Sequence, residues 1–297
     1  MMQHHYPEAK KPSRVVLLGG SGFIGKTMAG HLTQSGIPFL SLSSADVDLC
    51  SSAAPEALSK HIEKNDALVI LSAVTPDKGR DSRMQMKNLI MGQALCDFLE
   101  KKPCSHVIYF SSDAVYNDDL SLVNESSPAS PSSFYGIMHF GRERMLADVL
   151  KKNGTPFLVL RPSILYGQGD THNSYGPNRF FRTAISEQKI KLFGKGEEKR
   201  DHVFVHDVCR LLLSCLERQS HGILNVATGR SVSFMEIAMV LQKLFEGKIT
   251  IETTPRANPI TYRHYDIEGL LKAFPDFHFT ELEAGLKETF KAMHQLS

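Results

Sequence analysis

Residues 15–25 read Val-Val-Leu-Leu-Gly-Gly-Ser-Gly-Phe-Ile-Gly, an apolar run of strand length that enters a glycine-rich turn and then a helical pattern. Few folds accommodate that order. Gly20, Gly22 and Gly25 satisfy G-x-G-x-x-G, while Gly19, Gly22 and Gly25 satisfy the wider G-x-x-G-x-x-G. In such a unit the first glycine permits a tight turn, the middle one lets backbone amides approach an anion, and the last lets helix and strand pack closely. The helix beginning near Gly22 directs its unpaired amides and positive dipole end at that anion, which suits a dinucleotide pyrophosphate. The glycine spacing alone also fits an ordinary turn; its place after four apolar residues favours the dinucleotide reading.

Further apolar runs at residues 39–42, 67–71, 107–110 and 157–160 alternate with helical patterns. That alternation predicts a parallel sheet covered on both faces, a Rossmann-like doubly wound α/β fold. Ile90, Ala94 and Phe98, flanked by Met91 and Leu95, predict a helix that Lys101-Lys102-Pro103 ends. Residues 117–133 read as a loop, and a further helix is expected over 134–151, stopping at Asn153-Gly154. Residues 166–200 are rich in glycine, asparagine and charge; residues 203–205 and the helix at 208–216 look like a return to the sheet. Ser233 is a natural cap for a helix over 234–245. The expected organisation is a flexible tail at 1–12, a dinucleotide domain at 13–166 plus 201–228, and a smaller mixed α/β substrate-binding lobe at 167–200 plus 229–297.

A length of 297 residues suits a large core with a smaller lobe. The 34 basic and 32 acidic residues are mixed along the chain, so no electrostatic footprint for nucleic acid or a membrane surface is present. Five cysteines without C-x-x-C spacing argue against a disulfide framework or structural zinc. No stretch has the length of a membrane span, and a cytoplasmic location is expected. His4 and His5 read as part of a solvated tail rather than as metal ligands, and no metal site is expected.

The fourth apolar run leads into Ser111-Ser112-Asp113-Ala114-Val115-Tyr116. In an open parallel sheet the carboxyl ends of the strands face the ligand crevice, so these polar groups should project toward a cofactor. Tyr135 and His139 lie four apart on the next helix and share a face. A serine that holds a carbonyl oxygen and a tyrosine that gives or takes its proton make an acid/base pair. Asp113 reads equally well as a cap for local backbone. His202, His206 and Asp207 read as alternating strand positions rather than as metal ligands.

On these residues the chain resembles the extended short-chain dehydrogenase/reductase family, in particular its nucleotide-sugar epimerases, dehydratases and reductases. The resemblance runs over most of residues 14–290. It implies cofactor contacts from Gly19, Gly22, Phe23, Ile24 and Gly25 in the loop, from Ser43, and from Asp48 and Leu49 at the adenine. It also implies contacts from Ser72 and Ala73 after the third strand, from Tyr135 and His139, and from Pro162 beside the nicotinamide. Ser112, Asp113, Tyr135 and His139 become the catalytic set, with Ser112, Asn178, Arg179 and Arg200 toward a nucleotide-diphospho-sugar. Helices near 84–101 and 134–151 resemble those that pair across a two-fold, four-helix interface, which implies a homodimer.

The chain departs from the family pattern in three places. His139 stands where the family has the lysine of Tyr-x-x-x-Lys, and a neutral imidazole supplies less field to acidify a phenol. This substitution leaves room for a protein that binds dinucleotide and sugar nucleotide without turnover. After the second strand, Ser43-Ser44 offers neither an acid to repel a 2′-phosphate nor an arginine to bind one, so the expected cofactor is NAD or NADP. Ala114 occupies the place of a dehydratase's base and makes a 4,6-dehydratase the least suitable of the three reactions.

Overall fold

A computed structural model describes residues 2–170, 173, 175–256 and 259–294. The first part of the chain forms β1 (Arg14–Leu18), α1 (Phe23–Gln34), β2 (Phe39–Leu42), α2 (Ala54–His61), β3 (Asp66–Ile70) and α3 (Ser82–Lys101). It continues through β4 (His106–Phe110), a 3-10 turn at Asp113–Val115, β5 (Leu122–Val123), α4 (Phe134–Asn153) and β6 (Phe157–Pro162). There follow β7 (Ile164–Tyr166), α5 (Pro177–Glu187), β8 (Lys189–Phe193), β9 (Lys199–Phe204), α6 (Val205–Glu217) and β10 (Gly222–Val226). The chain closes with β11 (Ser231–Ser233), α7 (Phe234–Leu244), β12 (Thr250–Thr254), β13 (His264–Tyr265), α8 (Glu268–Ala273) and α9 (Leu282–His294).

Six strands in the order β2-β1-β3-β4-β6-β10 form one wholly parallel sheet. Alternation along β1 divides its side chains between two cores. Val15 and Leu17 join Met28, Leu32, Val208 and Leu212 beneath α1 and α6, while Val16 and Leu18 join Leu58, Leu95, Phe98 and Leu146 beneath α2, α3 and α4. Because β2 and β3 flank β1 on opposite sides, the winding reverses between β1 and β3. A crevice opens at the carboxyl ends of those strands.

Local chemistry sets the helix ends. Asp81 accepts from the Met84 amide to cap α3, and Ser133 accepts from Gly136 to cap α4, which ends where Gly154 adopts a left-handed φ of 71°. Ser233 and Glu236 form a reciprocal capping box on α7. The second part of the chain has its own core of Phe180, Phe181, Ile190, Leu192, Phe234, Ile237, Leu241 and Leu286. Among the described residues no helix is long and apolar enough to cross a membrane. All five cysteines are free.

Four expectations need correction. The N-terminal residues do not hang loose: Gln3 exchanges backbone hydrogen bonds with His221, and the Lys10 amide donates to Glu217. His4 bonds Ser220 and the Ala273 carbonyl and packs edge-on against Phe274, which ties the N-terminal segment to the end of α8. β9 does not pair with the central sheet; it is the middle strand of a separate sheet ordered β11-β9-β7, although its Val203, like α6, packs into the core beneath the central sheet. Leu270 and Phe274, expected in the lobe, complete the core beneath the central sheet. His206 and Asp207 lie on α6, where His206 meets His31 at 3.0 Å and Asp207 accepts from Thr280 and Arg210. No group of three potential metal ligands occurs among the described residues.

Candidate active site

The loop after β1 is built so that only glycine fits. Gly19 has φ 97°, and a Cβ there would lie 2.9 Å from the Ser72 amide nitrogen. A Cβ on Gly25 would fall 2.5 Å from the Gly20 Cα, so this glycine lets α1 sit against the loop. Gly22 starts α1 with no side-chain cap, which leaves the first helical amides to an outside acceptor.

These glycines form one end of a cavity of about 780 Å³ at the crevice between β1 and β3. Of the residues expected to touch cofactor or substrate, Gly19, Gly22, Phe23, Ile24, Gly25, Ser43, Asp48, Leu49, Ser72, Ala73, Ser112, Tyr135, Pro162 and Asn178 line it. Asp113, His139, Arg179 and Arg200 do not. A dinucleotide fits the residues present: a glycine turn with no room for a Cβ at Gly19 or Gly25, an uncapped helix start, and Ser72, whose buried hydroxyl has no partner among the described residues.

Asn88 on α3, 2% exposed, secures the wall after β3. Its side chain accepts from the Val74 amide at 2.8 Å and donates to the Val74 carbonyl at 3.0 Å. From α4, Arg142 donates to the Ser72 carbonyl at 2.8 Å. Thus two helices hold Ser72 and Val74, two residues apart in one loop. The sequence reading passed over both residues, because a polar residue inside an amphipathic helix looks like a solvated one until its partner loop is placed.

Near β4 the expected acid/base groups lie close together. Ser112 accepts from the Ala114 amide, which fixes its hydroxyl oxygen at the start of the 3-10 turn. Half-buried Tyr135 packs edge-on against His139, with ring centroids 4.5 Å apart. Burial pushes the Tyr135 hydroxyl well above its ordinary range, with Tyr109 and Asp113 acting in the same sense and Arg142 opposing. His139 is 2% exposed, and its Nδ1 shares a 2.6 Å hydrogen bond with the Tyr109 hydroxyl. Burial, then the charge of Arg142, pushes His139 down to about 3. It is therefore a neutral residue that stands behind Tyr135, rather than a cation at the cavity wall.

Two further residues take roles other than those expected. The Asp113 carboxylate accepts from Tyr265 at 2.7 Å and lies 3.5 Å from Arg263, so its charge is spent in anchoring β13. Arg200 pairs with Glu198 and donates to Thr261, away from the cavity wall. Beneath the site Arg161 grips Glu143 through two bonds, at 3.0 and 2.6 Å, and Glu143 also accepts from Ser111. Tyr116 links Arg161 to Asn225, which completes a buried network under the cavity floor. At the other end Asp46 folds back to accept from the Ser43 amide and hydroxyl.

Residues 15–227 match the NAD dependent epimerase/dehydratase family. A dTDP-4-dehydro-6-deoxyglucose reductase of Escherichia coli is 22% identical over 263 residues, which cover 80% of this chain and 83% of that protein. In fold, the chain is similar to a GDP-L-fucose synthetase from Naegleria fowleri bound to NADP, with a TM-score of 0.84, 18% identity, and coverage of 99% of this chain and 95% of that one. It is also similar to a UDP-glucose 4-epimerase of Thermotoga maritima with UDP-glucose, with a TM-score of 0.84, 22% identity, and coverage of 95% and 99%. With the family match spanning more than two-thirds of its length and the glycine cradle, Ser112 and Tyr135 on one cavity, the chain belongs to the NAD-dependent epimerase/dehydratase family.

Proposed function

We propose that this protein is an NAD(P)-dependent epimerase or reductase of a nucleotide-diphospho-sugar, with Tyr135 as the acid and base at the reacting carbon. The supporting observation is the convergence of the glycine loop, Ser112 and Tyr135 on one cavity that Tyr175, Gly176, Pro177 and Asn178 border from the second part of the chain. The nicotinamide, when bound, supplies the hydride chemistry. Ser112 holds the sugar oxygen, and Tyr135 removes its proton as the carbon is oxidised or returns it as a ketone is reduced. An epimerase turns the ketone over between two such steps, whereas a reductase acts once on a keto sugar. Ala114 offers no base for 4,6-dehydration.

Incubation with UDP-glucose or UDP-N-acetylglucosamine in the presence of oxidised NAD or NADP, and with dTDP-4-dehydro-6-deoxyglucose in the presence of NADH or NADPH, tests this assignment. Conversion of one class is expected, seen as an epimer by chromatography or as loss of reduced-nicotinamide absorbance. The neutral state of His139 favours a second reading, a dinucleotide and sugar-nucleotide binding protein without turnover. Tight binding with no conversion of any of the three would select it.

The same reading includes a homodimer through α3 and α4. Met86 and Ile90 on α3 are 55% and 48% exposed, and Phe134 and Ile137 on α4 are 46% and 40% exposed. Each pair is spaced to share a helix face, so two adjacent helices present apolar side chains to solvent. Light scattering at micromolar concentration should give twice the chain mass, and Ile137→Glu should give a monomer of unchanged helicity. A monomeric wild-type chain would refute the interface.

A further inference from the structure

Lys78 and Lys87 line the cavity, and a third cation stands behind its wall, one helical turn beyond His139, the position for which the resemblance implies a lysine. Arg142 follows His139 by three residues on α4 and is wholly buried. One terminal nitrogen donates to the Ser72 carbonyl on the cavity wall, and the guanidinium lies over the Tyr109 ring, 5.0 Å from its centroid. Tyr109 bonds His139, and His139 packs on Tyr135. Gly92 on α3 makes room, because a Cβ there would lie 3.0 Å from the Arg142 Cγ.

This charge has no carboxylate partner among the described residues. Its Nε and second terminal nitrogen have no hydrogen-bond acceptor, nor do the nearby Ser72 hydroxyl and His139 Nε2 have partners. The carboxylates around this end are otherwise engaged: Glu143 by Arg161, and Asp113 by Arg263 and Tyr265. Asp77 acts on Tyr135 from the loop after β3 and raises its proton affinity. A buried, unpaired guanidinium is costly, and the cost falls when negative charge develops nearby or when a positive group leaves.

We propose that Arg142 is the fixed cation of the reactive end of this cavity, a positioning residue that holds the Ser72 wall and biases Tyr135 and the bound nicotinamide through its charge. The inference rests on the dinucleotide reading above. The field of Arg142 favours the neutral reduced nicotinamide over the positively charged oxidised ring, and the phenolate over the phenol at Tyr135. His139, neutral and bonded to Tyr109, keeps Tyr135 in place and leaves the charge to its neighbour one turn on.

The test compares the dissociation constants of the oxidised and reduced forms of whichever cofactor pair, NAD or NADP, binds more tightly. For unit charges about 10 Å apart in an effective dielectric near 20, removing the cation changes their ratio by roughly tenfold. Arg142→Gln, which retains an amide donor for Ser72, should tighten the oxidised form relative to the reduced form by that factor. Arg142→Lys should keep the ratio within about threefold of wild type. A merely structural role would weaken both forms equally, and an unchanged ratio in folded Arg142→Gln overturns the proposal. If that variant does not fold, Arg142→Met, which keeps the apolar stem against Gly92 and removes the charge, should move the ratio in the same direction; an unchanged ratio there overturns it as well. A wild-type protein that binds neither form of either cofactor refutes the dinucleotide reading itself, and the role of Arg142 with it.

Discussion

On the proposed chemistry, replacing Tyr135 by phenylalanine should lower turnover of the nucleotide sugar by about 10²- to 10⁴-fold, the range that one positioned acid/base group contributes. Cofactor affinity should stay within about twofold, because the phenyl ring still packs against His139 and still lines the cavity. The loss should appear in kcat rather than KM, since the proton is shared only as the carbon changes oxidation state. Single-turnover measurements on Tyr135→Phe separate this from slow product release. A variant with more than a tenth of wild-type kcat would remove Tyr135 from the chemistry and transfer the proton to water or to Ser112.

Acid should destabilise this fold well before its carboxylates titrate. His106, His139 and His202 are buried, and burial pushes them down to about 4, 3 and 3. His106 donates to the Ser220 carbonyl, while His202 is enclosed against Phe234. All three are neutral in the folded protein, whereas in the unfolded chain they take up protons below their ordinary value of about 6.5. The unfolded state therefore binds more protons between pH 6.5 and about 3 to 4, and stability falls as the pH falls through that window. By pH 5 each histidine costs about 2 kcal/mol, or about 6 kcal/mol for the three, a large share of a typical folding free energy. Asp201, pushed up by burial, acts in the opposite sense at lower pH. Urea unfolding at pH 7.5 and pH 5 measures the difference, and equal midpoints would show that these imidazoles reach solvent in the folded state.

Much of the architecture could be read along the chain. The apolar runs became the central strands, Gly154 ended α4, Ser233 capped α7, and fourteen expected contact residues did converge on one cavity. These features depend on side-chain periodicity and backbone conformation, which neighbouring residues set between them. The errors share another physical origin. β9 carries the apolar pattern of a sheet strand, but that pattern does not say which sheet, and β7 and β11 took it. The histidine-bearing N-terminus looked solvated because its partners Ser220 and Ala273 lie more than 200 residues away in the chain.

The same division runs through the site. The sequence by itself determined the glycine turn between β1 and α1 and that Tyr135 and His139 share a helix face, since both follow from short-range geometry. Only the tertiary structure decided that His139 is neutral, that Asp113 is spent on Arg263 and Tyr265, and that Arg142 is buried without a counter-ion among the described residues. Charge state depends on desolvation and on partners contributed by β4, α3, the loop after β3 and the strand at His264–Tyr265. Those partners meet only when the chain is folded.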